Sequence, residues 1–199
     1  MFVWLAAQLL AIGVGAARVP LWARFPSTGE MLALDELIAV QFVVSSLLFP
    51  FLCRDLKSTC AVICASAPMI AIAGLLSFTS TGACIANAFN LALWLLGLFA
   101  WGKVARSDSN SAADVRTSRA LLAIAIIGAL NLGGTFLAYF GAEASGKLAA
   151  GFQFVPLIGA IQLSHEMSWW GCFPNLGLTA IAGTMLLIRR ARLSTPSFH

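Results

Sequence analysis

Residues 164–175 read SHEMSWWGCFPN, the one polar, aromatic-dense stretch in the last third of an otherwise apolar chain. His165 is the only histidine besides the C-terminal His199. An imidazole and the thioether of Met167 are donors that can hold a haem iron, and Trp169 and Trp170 can wall a porphyrin. The same residues have a plainer use. Tryptophans gather where a bilayer meets water, His165 and Glu166 can sit solvated at that surface, and Pro174 suits the first turn of a helix. Trp169 and Trp170 are therefore read as outer-interface anchors. A haem on His165 and Met167 stays as the alternative, and no cofactor is otherwise expected. Cys172 lies close to His165 as well, but a thiol and an imidazole with no third group to orient them make a weak nucleophilic pair.

A second group of residues is built from amides. Asn87, Asn90, Trp94, Gly97 and Trp101 are spaced three, four, three and four apart, which sets them along one seam of a helix. Gly128, Asn131, Thr135 and Ala138 repeat the spacing further on. Polar side chains in apolar helices turn toward neighbouring helices, and small ones let backbones come close. Asn87, Asn90, Trp94, Asn131 and Thr135 thus form either a substrate path or the packing seam between two helices. Gln8, Gln41, Gln153 and Gln162 add to the polar interior.

The solvent these elements require follows from composition. The chain has 199 residues, of which 60% are hydrophobic and 10% charged, with a mean hydropathy of +0.90. A soluble domain carries about a quarter charged residues, so lipid must cover much of this surface. The expected fold is all-α: one polytopic membrane domain over residues 1–199, with about six transmembrane helices. The apolar runs place them near 2–17, 36–53, 58–78, 83–101, 120–141 and 169–188. Residues 103–119, rich in serine, aspartate and arginine, read as a cytoplasmic linker. Residues 142–168 read as an outer-face segment; within them 148–163 is apolar but short and contains Pro156.

Orientation comes from the cations. With both termini cytoplasmic, the inner side holds Arg54, Lys57, Lys103, Arg106, Arg116, Arg119, Arg189, Arg190 and Arg192, against Arg18, Arg24 and Lys147 outside. That is the bias expected of inner loops. It requires 148–163 not to cross: the segment enters from the outer face and returns, or lies along that face. The net charge of +4 is thereby explained without a nucleic-acid partner. It also leaves His165 and His199 on opposite sides, so a haem would need an uncommon axial pair.

The exclusions are as informative. No Asp, Glu, Lys, Arg or His falls well inside an expected span; Asp35, Glu36, Glu143 and Glu166 gather at the outer boundary. Proton pumps and voltage sensors place charge within the membrane. No phosphate loop, zinc signature or hydrolase elbow occurs. The five cysteines form no Cys-x-x-Cys pair; Cys60 and Cys64 share a helix face, and a bond between Cys84 and Cys172 is compatible with the topology.

Six spans, inner termini and a broken apolar segment before the last span are similar in outline to the exporter-type permeases of ABC transporters, including the haem-exporter-like subunit of cytochrome c maturation. The similarity is one of topology. Those permeases usually begin with a cytoplasmic amphipathic helix, whereas this chain turns apolar at Phe2. The resemblance implies a permease-type transport subunit in the plasma or inner membrane, working with a cytoplasmic ATPase. A structural or assembly subunit of a larger membrane complex fits the same features, and a haem- or metal-handling protein built on His165 is the third expectation. Catalysis is left open, with the balance against it.

Overall fold

The computed structural model describes residues 2–18, 33–106, 160 and 172–194. They form five helices and, among the described residues, no strand. These are α1 (Phe2–Arg18), α2 (Ala33–Leu52), α3 (Leu56–Leu76), α4 (Thr81–Arg106) and α5 (Phe173–Ser194). Residues 56–76 and 81–104 are long and apolar enough to cross a membrane. α4 continues through Lys103 to Arg106, so the residues read above as the start of the linker are helical. The expected fifth span and, Ala160 apart, the outer segment lie outside the described residues.

Each helix buries a stripe set by its own spacing. Trp4, Gln8, Ala11 and Gly15 point inward from α1, four, three and four residues apart. On α3 the stripe is Thr59, Val62, Ser66, Ile70 and Ala73. That recurrence keeps one face of a 3.6-residue helix against its neighbours. α2 is buried on most sides: Leu34, Leu37, Ile38, Phe42 and Phe49 join Trp4, Val62, Ile70, Leu91, Trp94, Leu95 and Leu98 in one continuous core. α5 attaches to α4 by a narrow stripe containing Asn175 and Ala182.

Local signals set the turns. Asp55 caps α3, accepting from the Ser58 amide at 2.7 Å, while Ser58 Oγ accepts from the Asp55 amide at 3.2 Å. This reciprocal pair satisfies two donors that a helix start leaves open. α3 ends with Thr79 N–H on the Gly74 carbonyl and Phe78 N–H on the Leu75 carbonyl. The motif needs a left-handed residue after the cap, and Phe78 takes that place with φ 51°. Ser77 Oγ at this corner accepts the Leu34 amide of α2 at 2.9 Å.

Contacts fix the direction of every helix. Gln41 donates to Gln8 at 2.7 Å, and Gly15 lies against Ala33, so α1 and α2 are antiparallel. Leu34 meets Ser77, and Gly74 meets Cys84, so α2, α3 and α4 alternate. Along α4 and α5 the pairs are Ala86 with Cys172, Asn90 with Asn175, and Leu93 and Gly97 with Thr179. Both numbers rise together, so α4 and α5 run the same way.

Two distinct ends result. Arg54 and Lys57 occupy the α2–α3 turn, Lys103 and Arg106 close α4, and Arg189, Arg190 and Arg192 lie in the last turns of α5. From the Asn90–Asn175 pair, Arg106 is about 24 Å and residues 189–192 are about 21–26 Å along their helices. These seven cations therefore sit at one end, while Arg18 closes α1 at the other. The other end holds Asp35 and Glu36 in the first turn of α2, where the helix dipole favours negative charge. Asp35 is buried at this end.

The candidate polar site between α4 and α5

α4 carries its polar residues on a face that meets two different helices. Trp94 turns toward α2: its ring stacks on Phe42 with centroids 5.3 Å apart, and its Nε1 donates to Ser45 Oγ at 2.8 Å. Ser45 in turn donates to the Phe42 carbonyl at 3.1 Å. Trp4 repeats the arrangement, with Nε1 donating to Ser66 Oγ at 3.0 Å and Ser66 donating to the Val62 carbonyl at 2.8 Å. In both cases the serine hydroxyl accepts from the indole and passes its own proton to its helix backbone. Every polar group in these two chains has a partner, which is what burial demands.

Asn90 turns instead toward α5. Asn175 Nδ2 donates to Asn90 Oδ1 at 2.7 Å, and both side chains are fully buried. One turn further along, the Thr179 hydroxyl lies 2.7 Å from the Leu93 carbonyl and 2.7 Å from the Asn175 carbonyl, so its single proton is shared across the helix boundary. Gly97 makes that approach possible: a Cβ there would stand 3.0 Å from Thr179 Oγ1. Asn87, one turn before Asn90, donates from Nδ2 to the Ala83 carbonyl at 3.0 Å.

The amides differ from the indole–serine chains in one respect. Among the described residues, Asn87 Oδ1, Asn90 Nδ2 and Asn175 Oδ1 have no hydrogen-bond partner, nor does Trp101 Nε1 further along α4. Such atoms are costly to bury alone, at about 1–3 kcal/mol each. The cluster has no ionisable member, so it offers hydrogen bonds and dipoles but no proton transfer.

Of the residues singled out in the sequence, Asn87, Asn90 and Trp94 are buried along α4. Asn131, Thr135, His165, Met167, Trp169 and Trp170 lie outside the described residues. Asn175 and Thr179 are the members that spacing on α4 does not reveal. Their one signal is two polar residues four apart on an apolar helix. All five cysteines are free; Cys84 packs at Gly74, Cys172 packs beside Ala86, and Cys60 and Cys64 are exposed on α3. Among the described residues no group of three or more metal-ligating side chains comes together. Comparisons with protein-family models, curated proteins and solved structures found no match to this chain.

Proposed function

We propose that this chain is an integral membrane helix bundle serving as the permease-type subunit of a transporter, with a separate cytoplasmic ATPase as its energy source. The observation that carries the reading is the spare hydrogen-bonding capacity of Asn87, Asn90 and Asn175 inside an apolar bundle. Residues that act only as interhelical glue satisfy each other, as Trp4 with Ser66 and Trp94 with Ser45 do. A substrate path must instead keep polar groups available at depth.

Two features support the membrane setting. Large apolar side chains cover the outward faces: Leu10 on α1, Leu75 on α3, Ile85 and Phe89 on α4, Leu187 on α5. A soluble monomer rarely presents so many together. The gathering of seven cations at one end matches an inner face, and there an ATPase would meet Arg54, Lys57 and the ends of α4 and α5. The parallel course of α4 and α5 supports six spans with inner termini.

A second reading, a structural or assembly subunit, is favoured by the fully satisfied bonds Gln8–Gln41, Trp4–Ser66 and Trp94–Ser45, which fasten α1–α4 into a rigid unit. Purification of the tagged chain from native membranes in mild detergent, followed by mass spectrometry, separates the two. An ATPase in fixed ratio is expected. A constant set of non-ATPase membrane proteins would favour the second reading, and a chain that purifies alone would remove both.

A further inference from the structure

The hydrogen-bond inventory of the α4–α5 amides limits what can bind there. As placed, the Asn175–Asn90 bond leaves Asn90 Nδ2 as a donor and Asn175 Oδ1 as an acceptor. Turning both amides over reverses the bond but leaves one donor and one acceptor again. Asn87 cannot be turned, because its oxygen would then face the Ala83 carbonyl. Its Oδ1 is a second acceptor. The balance of two acceptors to one donor group therefore survives any assignment. A cation wants acceptors only. An anion wants donors only. Neither is served by this set, and no charged side chain stands in the cluster to offset either.

We propose that Asn87, Asn90 and Asn175 bind a small uncharged solute of the primary-amide or urea type, which offers N–H donors to two acceptors and a carbonyl to one donor. This rests on the permease reading and names the substrate class for it. Side chains three apart on a helix have Cβ atoms about 5–6 Å apart, so the Asn87 oxygen and the Asn90–Asn175 pair are within the span of such a molecule. All three amides are at most 3% exposed, so the guest is read by direct hydrogen bonds in an apolar surround.

The test uses the purified full chain in detergent, with acetamide as probe and thermal unfolding as readout. A saturable rise in Tm of about 3–6 °C is expected at ten times the dissociation constant. N,N-dimethylacetamide has no N–H and should give no rise; sodium and potassium chloride at equal concentration should give none either. The Asn90→Leu, Asn175→Leu double variant should lose the acetamide effect. The dimethylacetamide arm decides the matter on the native protein, so the test survives if that variant fails to fold. Equal rises with both amides, or no rise with acetamide, overturns the proposal. An ATPase that co-purifies while acetamide fails would leave the permease reading standing and remove only the solute class.

Discussion

Asn175 donates to Asn90 at 2.7 Å across 85 residues of sequence, and the helices that carry the two run in the same direction. Neighbours joined by a short turn must be antiparallel, as α2–α3 and α3–α4 are. A parallel pair needs the intervening chain to return to the starting side. If the bundle spans a bilayer, the Ser77–Ser80 corner and the start of α5 share one face, and the Arg54–Lys57 turn lies on the other. Single cysteines at Ser80 and Ser168 should label with an impermeant reagent from outside intact cells. One at Arg54 should label only after permeabilisation. Labelling of Ser80 and Ser168 from opposite sides would break both the pairing and the topology.

The indole–serine chains predict an asymmetry. Trp94→Phe keeps the ring stacked on Phe42 and leaves Ser45 bonded to the Phe42 carbonyl, so the loss should be about 0.6–2 kcal/mol. Ser45→Ala leaves the indole N–H buried without an acceptor and should cost more, about 1–3 kcal/mol. The double variant should cost less than the sum. Unfolding of the four proteins in mixed micelles gives the coupling directly.

Close approach at Gly97 makes a sharper prediction. The Cβ of Gly97→Ala would meet Thr179 Oγ1 at 3.0 Å, and that hydroxyl is held by two carbonyls and cannot move aside cheaply. Larger residues force the helices apart. Gly97→Leu should destabilise by about 1–3 kcal/mol and detach α5 from α4, seen as loss of a crosslink engineered between positions 86 and 172. Gly13 is the control, since a Cβ there meets nothing within 4 Å. Gly13→Ala should be neutral or stabilise by up to about 1 kcal/mol.

How much of this was legible in advance depends on the kind of signal. Helical periodicity puts Asn87, Asn90 and Trp94 on one face of α4, because 3.6 residues per turn is a property of the chain alone. It cannot tell that Trp94 meets α2 while Asn90 meets α5, since positions four apart differ by about 40° around the helix and that is enough to change neighbours. Gln8 and Gln41 are recognisable as interior residues, but their mutual bond depends on α1 and α2 being antiparallel. Asn175 sits at the edge of an aromatic run that reads as a membrane-surface segment, which hides its role. Phe78 in a left-handed cap is invisible for the opposite reason: glycine or asparagine is the residue that marks such a position. The charge distribution was the most direct guide, because the cations lie beside helix ends and need only the helix directions to be gathered at one end.

The cap at Asp55 gives the pH prediction. The Ser58 backbone N–H holds the Asp55 carboxyl below the usual aspartate range; desolvation opposes it, and the Ser58 hydroxyl, the Lys57 amide and Arg54 add smaller help. A folded-state pKa below the unfolded one means that the unfolded chain takes up the proton first as pH falls. The cap's contribution is therefore complete above the ordinary aspartate pKa and fades as pH falls through the lower folded value. It should not change between pH 6 and 8. Asp55→Asn keeps an acceptor for the Ser58 amide and should flatten this part of the acid profile while leaving neutral stability close to that of the native chain. Asp55→Ala should lower stability at neutral pH and flatten the acid limb as well. Urea or thermal unfolding of the three proteins from pH 7 down to pH 3 distinguishes them. An acid limb unchanged in Asp55→Asn would assign the acid sensitivity to other carboxylates.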